Sequence, residues 1–141
     1  MAITFSTQDV VFNLKNKMAI KKWIASLIKS HGKKVGEIGY MFCSDNYLIE
    51  VNRSYLNHDT YTDIITFDYV EGDLVSGDIM ISIDRVKENA VTFNTSFENE
   101  LHRVIIHGVL HLLGQGDKTK DEAAMMRKRE AEALGLWNTI V

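Results

Sequence analysis

The sequence predicts an α+β fold in which one small mixed β-sheet packs with about five helices. Segments with the alternating pattern of strands lie in the first part of the chain and end near Ile83. From Asp84 onward the apolar residues recur at helical spacing, and another helix is predicted between the early strands. For 141 residues we expect one domain with one core, spanning residues 1–141.

The first predicted elements are a short strand at residues 3–5 and an amphipathic helix at residues 16–30. Apolar side chains fall on one face of this helix, most of its lysines fall on the other, and Gly32 follows as a stop. The apolar stripe consists of Ile20, Trp23, Ile24, Leu27 and Ile28. We expect Trp23 to belong to the core.

The next predicted elements are a strand at 38–43, a helix at 45–56, a strand at 64–70, a turn-rich loop at 71–77 and a strand at 78–83. Alternation of apolar residues predicts the first and last of these strands, and β-branched and aromatic residues predict the middle one. Ser44 or Asp45 is the expected N-cap of the helix. Cys43 is expected to be a buried strand residue, and the last two strands are expected to form a hairpin.

The remaining predicted helices cover residues 85–92, 97 to about 113, and 119–134. Thr95 and Glu98 have the spacing of a capping box at the start of the second. Gly135 is expected to close the third. Glu100 and His102 are expected to be surface residues.

Composition favours a cytoplasmic protein. The single cysteine excludes an internal disulfide, and the sequence shows neither a secretory signal nor an apolar run long enough for a membrane span. The net charge of −3 argues mildly against a general nucleic-acid binder. However, seven lysines and no acidic residue lie between Leu14 and Gly36, so a basic surface on an otherwise acidic body is expected.

The segment VIIHGVLHLLGQGD, residues 104–117, carries the chemistry. Its helical part is apolar on every side except at His107 and His111, which predicts a central buried helix. Residues four apart project from one face, so both imidazoles can bind one metal ion. Gly114 ends the helix and Asp117 follows, which brings a carboxylate towards the same ion. Three protein ligands with an open fourth position are typical of catalytic zinc sites.

The simpler alternative is a pair of core histidines that hydrogen-bond to neighbouring groups, in a soluble α+β domain without a metal. Metal analysis would distinguish the two.

The stretch HGVLHLLG resembles the signature of the YbeY family of bacterial metal-dependent endoribonucleases. A second stretch, NRSYLNHDTYTDIITF at residues 52–67 followed by Gly77-Asp78-Ile79, matches the family's order of Asn-x-x-Tyr, Thr-Asp and Gly-Asp-Ile. The resemblance spans roughly residues 48–117. It implies cleavage of single-stranded RNA, one zinc ion in a three-ligand site, and a role in small-subunit rRNA 3′-end maturation and ribosome quality control. As partners, the resemblance implies small-subunit rRNA and allows for the ribosome or assembly factors. It implies no association with a membrane.

The resemblance carries the first two zinc ligands onto His107 and His111, but the third family ligand is usually a histidine where this chain has Asp117. Carboxylate is an acceptable zinc ligand, and its negative charge should make the site tolerate other divalent ions such as manganese. The family arginine after the motif tyrosine is replaced by Leu56, which follows Tyr55. The catalytic residues therefore stay unknown, with Arg53 or His58 as substitutes to consider.

Asp63 and Asp78 stand beside turns, where a structural hydrogen-bonding role is favoured over a catalytic one. A third departure, Tyr61 where the family often has proline, is expected to be conformational.

Two other functions stay open. A zinc peptidase would share the His-x-x-x-His spacing, but such enzymes carry a glutamate after the first histidine, and this chain has Gly108. A hydrolase without this glutamate needs another base, or a substrate group that attacks itself. RNA can supply its own 2′-hydroxyl as the attacking group, so Gly108 favours RNA over peptide as the substrate. Alternatively, Leu56 and Asp117 mark a catalytically weak or inactive ribosome assembly factor that keeps its metal for stability.

Overall fold

The computed structural model describes residues 2–57 and 61–140. The described elements in chain order are β1 (Ala2–Thr7), α1 (Lys17–Ser30), β2 (Lys34–Cys43), α2 (Asp45–Leu56), β3 (Ile64–Asp68), β4 (Leu74–Ser82), α3 (Ile83–Thr92), α4 (Phe97–Leu112) and α5 (Lys120–Ile140). The predicted α+β class is confirmed. None of the helices in this described part has the length and apolar content of a membrane-spanning helix.

The four described strands form one mixed sheet in the order β1-β2-β4-β3. β1 and β4 both run parallel to β2, and β3 pairs antiparallel with β4 as the predicted hairpin. Ile79 of β4 lies opposite Tyr40 on one side and Thr66 on the other. β1 and β3 are therefore the two edges.

The main core lies on one face of the sheet, against α1, α3, α4 and α5. All five residues of the predicted α1 stripe are buried, including Trp23, whose indole donates a hydrogen bond to the Ala133 carbonyl at 2.8 Å. The opposite face carries α2 and a smaller cluster that contains Cys43, Leu48 and Val51. Cys43 is a buried strand residue, as predicted.

Helix α4 is the central buried helix, with most of its non-histidine positions inside the core. Gly108 lets it approach the sheet closely, because a Cβ there would stand 2.9 Å from Ile79 Cδ1. The Tyr40 hydroxyl ties the same region together by donating to the Ile105 carbonyl at 2.8 Å.

Several predicted boundaries were wrong. β2 and β4 begin four residues early, at Lys34 and Leu74, because backbone pairing between these two residues extends both strands beyond their alternating segments. β3 ends at Asp68, whose carboxylate accepts a hydrogen bond from the Val70 amide at 2.8 Å in a local turn.

Two predicted helix ends were also wrong. Ser96 rather than Thr95 caps α4, since its hydroxyl accepts the Asn99 amide at 3.0 Å. Helix α5 continues through Gly135 because Trp137 packs against the Trp23 ring at 5.2 Å between centroids. Burying an indole outweighs the cost of about 1 kcal/mol for a helical glycine.

Glu100 and His102 are buried, not exposed as predicted. The His102 ring packs against Trp137 at 4.5 Å and Trp23 at 5.9 Å between centroids. The Glu100 carboxylate is held by Arg103 at 2.6 Å. The His102 prediction failed because its stacking partners come from α1 and α5 and are not visible in local helical spacing. Glu100 is buried although its partner Arg103 lies only three residues away on the same helix.

Candidate metal centre

Helix α4 presents His107 and His111 one turn apart on a face that looks into a cavity. Their ring centroids lie 4.7 Å apart and the rings are nearly perpendicular, at 82°. Their side chains are 14% and 30% exposed, so both are accessible from the cavity despite the buried helix. The spacing of the two imidazole rings and their access to the cavity allow His107 and His111 to bind the same metal ion.

A turn after α4 brings Asp117 back to the two rings. Gly114 adopts a φ of 97°, a left-handed conformation that favours glycine, and its amide bonds to the His111 carbonyl at 2.9 Å. Oδ2 of Asp117 then lies 3.3 Å from Nε2 of His107 and 3.3 Å from Nε2 of His111. The structure thus brings all three predicted ligands together, with one ligand atom from each within 4.8 Å of the others.

These three side chains fit a zinc ion. Bonds of about 2.0–2.1 Å in a tetrahedral site place neighbouring ligand atoms about 3.3 Å apart. The two Nε2 to Oδ2 separations have this length. Imidazole and carboxylate are also ligand types that zinc accepts.

Glu130 orients the first histidine. Its Oε2 lies 2.6 Å from Nδ1 of His107, and its carboxylate is 3% exposed. With Nδ1–H donating to Glu130, the Nε2 lone pair points towards Asp117, the tautomer that a metal ligand needs. Burial raises the pKa of Glu130, but the hydrogen bond with His107 and the charge of Arg103 outweigh it and lower the pKa overall.

Arg103 lies one turn before His107 and holds three carboxylates. Its guanidinium is 2.6 Å from Glu100, 3.2 Å from Glu130 and 3.6 Å from Asp63. Burial lowers the pKa of Arg103, but the hydrogen bond with Glu100 and the neighbouring charges raise it overall, so Arg103 stays charged. It is the central cation of a buried network behind the candidate metal ligands.

Asp63 and Asp78 lie in different places. Asp63 faces the same cavity as the histidines, where burial raises its pKa and Arg103 offsets only part of that effect. Its backbone carbonyl also accepts the Ser82 amide at 2.9 Å, a structural contact at the start of the hairpin. Asp78 is exposed in a separate cavity and does not join the histidines.

The cavity in front of the histidines has a volume of about 680 Å³. It is bounded by the end of α2, by β3, by α4 and by the turn after it, and the described part of its lining includes three cations. These are Arg103, Lys118 and Arg127. Lys118 is exposed and the Arg127 side chain is 63% exposed, so both can meet an anionic substrate.

Leu56 lines this cavity and is 42% exposed, so the departure from the family arginine falls within the site itself. Arg53, one substitute considered, pairs with Glu50 at 2.8 Å on the surface of α2. His58, the other, lies outside the described residues. The described cations of this cavity come instead from α4, α5 and the turn that joins them.

Sequence reasoning missed Glu130, Arg103, Lys118 and Arg127. Two of them had a readable signal. Glu130 occupies a position in the buried stripe of α5 that otherwise holds Met126, Ala133 and Trp137. A charged residue inside an apolar stripe indicates a buried partner. Arg103 precedes His107 by the same four residues that separate the two histidines.

Comparison with known proteins finds relatives of similar sequence and a solved structure of similar fold. The family model described as Endoribonuclease YbeY matches residues 2–138. A relative from Parabacteroides distasonis named Endoribonuclease YbeY is 50% identical over 136 residues, covering 96% of each chain. A namesake from Bacteroides thetaiotaomicron is 49% identical over 96% of this chain and 99% of its own. A Thermotoga maritima protein of known solution structure matches with a TM-score of 0.66 and 29% identity, over 98% of this chain and 93% of its own.

Proposed function

This chain belongs to the YbeY family of endoribonucleases, and from that premise we propose that it is a zinc-dependent enzyme that cuts single-stranded RNA. The observation that carries the proposal is the convergence of His107, His111 and Asp117 in a cavity lined by cations. Further proposals are a role in small-subunit rRNA 3′-end maturation and ribosome quality control, in the cytoplasm. The family match over residues 2–138 supports a single YbeY-like metallohydrolase domain over residues 1–141.

His107, His111 and Asp117 would hold the ion, and Glu130 would keep Nε2 of His107 directed at it. A bound zinc ion supplies Lewis acidity towards a phosphoryl oxygen and lowers the pKa of bound water.

The protein's own cations have separate tasks. Lys118 and Arg127 bind the phosphates of the strand and offset their charge at the cavity wall. Arg103, engaged with Glu100, Glu130 and Asp63, holds the carboxylates in place.

The residue that follows His107 in the sequence argues against a peptidase. In HExxH enzymes that position holds the general base. Here Gly108 faces the sheet, where a Cβ would be 2.9 Å from Ile79 Cδ1 and 3.1 Å from Ile64 Cδ1. A glutamate at this position would enter the core rather than the cavity.

A basic groove between α1 and the start of β1 and β2 supports RNA binding at a distance from the site. It is defined by Lys21, Lys22, Lys29, Lys33 and Lys34 and has a volume of about 680 Å³. Lys33 pairs with Asp73 at 3.5 Å. We propose that the basic groove guides the phosphate backbone, because clustered lysines release counterions when they meet RNA.

The test is cleavage of a labelled single-stranded RNA by the purified protein, with and without a chelator. His111→Ala is the test variant, and His31→Ala, on a histidine outside the cavity, is the matched control. The proposal predicts that cleavage disappears with the chelator and in His111→Ala but persists in His31→Ala. Cleavage that survives both treatments would contradict it.

Leu56 favours one second candidate, a metal-containing assembly factor with weak or no cleavage, because leucine in the cavity cannot bind phosphate. Leu56→Arg separates the two candidates, with Leu56→Met as control. The nuclease proposal predicts measurable cleavage by the unchanged protein. Cleavage only in Leu56→Arg would favour the assembly factor.

A further inference from the structure

A second groove opens on the sheet face that carries α2, away from the main core. It has a volume of about 520 Å³, within the range of ligand sites in proteins. We call it the aromatic groove, after four of the aromatic residues in its described lining, namely Tyr47, Tyr55, Phe67 and Tyr69. Tyr40 also lines it, but its side chain is buried and its hydroxyl bonds to the Ile105 carbonyl in the main core.

Two of these rings are unusually open to solvent. The exposed fractions of Tyr55 and Tyr69 are 74% and 56%. Tyr55 stands edge-on to Phe67, with 6.4 Å between ring centroids and an angle of 87°. Large exposed rings contribute little to the fold, whereas a partner that stacks on them would cover apolar surface.

The aromatic groove shares its wall with the candidate metal centre. Successive side chains of a strand point to opposite faces. Accordingly, Phe67 of β3 lines the aromatic groove, while Thr66 and Asp68 line the metal cavity. The end of α2 divides in the same way, with Tyr55 in the aromatic groove and Leu56 in the metal cavity. One strand of nucleic acid that crosses this wall can reach both.

The two sides differ in chemistry. The metal cavity contains Lys118 and Arg127, whose positive charges suit phosphates. The described lining of the aromatic groove has no lysine or arginine but has hydroxyl and carboxylate groups at Thr4, Ser6 and Asp78. Aromatic faces stack on bases, and these polar groups can hydrogen-bond to base edges.

We propose that the aromatic groove binds unpaired bases of the RNA strand next to the phosphate that is cut, with stacking on Tyr55 and Tyr69. This inference rests on the proposed function and deepens it. Bases in a duplex are already stacked within the helix and cannot enter such a groove. The aromatic groove therefore supplies a physical reason for cutting single strands.

The test compares Tyr55→Ala and Tyr69→Ala with Tyr55→Phe and Tyr69→Phe in the zinc-loaded protein. For cleavage of a single-stranded RNA, each alanine variant should raise KM about 5- to 100-fold, the loss expected for one stacked base, with kcat little changed. The phenylalanine variants should keep the KM of the unchanged protein, because they retain the stacking face. Phe93→Ala removes an exposed ring outside both cavities and serves as the matched control.

Binding of a single-stranded DNA of the same sequence, measured by fluorescence anisotropy, separates this proposal from the proposed function. DNA offers the same base faces without the 2′-hydroxyl, so the same loss in the alanine variants is expected. A strand with abasic positions should bind the unchanged protein and the alanine variants alike. If DNA binding depends on Tyr55 and Tyr69 but the protein does not cleave RNA, base binding in the aromatic groove is supported and the nuclease proposal is contradicted. If RNA cleavage and DNA binding are unchanged in both alanine variants, base binding in the aromatic groove is contradicted and the nuclease proposal still stands.

Discussion

Oε2 of Glu130 lies 2.6 Å from Nδ1 of His107, which joins the last helix to the helix that carries both histidines. With Nδ1–H donating to Glu130, Nε2 of His107, which faces Asp117, is left unprotonated and able to bind a metal ion. The contact also explains why a carboxylate sits in the buried stripe of α5. The candidate metal centre therefore depends on more than one helical motif, because Glu130 contacts the candidate ligand His107 and Arg103 contacts Glu130.

Removing the Glu130 carboxylate should weaken metal binding without removing a ligand. For Glu130→Gln we expect zinc affinity to fall about 10- to 100-fold, because the partner that orients His107 becomes a weaker acceptor. Competition with a chromophoric chelator measures this. Glu132→Gln, an exposed carboxylate on the same helix, is the control. Equal zinc affinity in Glu130→Gln and the unchanged protein would contradict the role given to Glu130.

Arg103→Ala should be strongly destabilising, because Glu100 and Glu130 would remain buried without their cation. A loss of about 3–5 kcal/mol in the free energy of unfolding is expected when one partner of a buried pair is removed. Arg127→Ala breaks a pair with Glu130 whose arginine side is 63% exposed, and should cost less than about 1 kcal/mol. Urea unfolding in the presence of a chelator compares the two. Similar losses in both variants would refute the buried network.

His102 should make stability depend on pH. Its burial lowers its pKa, and the charge of Glu98 offsets only part of that effect. The unfolded chain, with a histidine pKa of about 6.5, then binds the proton first as the pH falls. The contribution of His102 is therefore present above about pH 6.5 and is lost as the pH drops below it. In chelator, the urea midpoint should fall less between pH 7.5 and 5.5 in His102→Phe than in the unchanged protein. An identical fall of the urea midpoint in His102→Phe and in the unchanged protein would contradict a pH-dependent contribution from His102.

Asp117 should broaden the choice of metal. Its carboxylate lowers the effective charge of the centre and favours harder ions than a third imidazole does. We expect Asp117→His to raise the preference for zinc over manganese, measured as the metal content after loading from an equimolar mixture. Asp121→His, an exposed carboxylate in the first turn of α5, is the control. A strong zinc preference already present in the unchanged protein would count against this tolerance.

Local patterns predicted much of the fold. The α1 stripe, the hairpin and the buried α4 all follow from apolar spacing, because one face of each element packs on the sheet. Boundaries failed where long-range contacts extend or move an element. Trp137 packs against Trp23, and α5 continues past Gly135. Lys34 pairs with Leu74, four residues before the alternating apolar segments of β2 and β4 begin.

The candidate ligands were predicted because His107, His111 and Asp117 lie within one short segment whose helix and turn bring them together. The residues that support them were not, because Glu130 comes from another helix, 23 residues after His107. The groove at Tyr55 and Tyr69 was missed for the same reason. Its rings come from α2 and the end of the hairpin, and only sheet packing shows that they share a face.

The most direct measurement of the central claim is RNA cleavage during titration of zinc into the metal-free protein. The account predicts that the cleavage rate rises with the first equivalent of zinc and then levels off. It also predicts that Asp117→Ala and His107→Ala need far more zinc or never respond. Cleavage by the metal-free protein, or an equal zinc response in both variants, would contradict a metal centre at His107, His111 and Asp117.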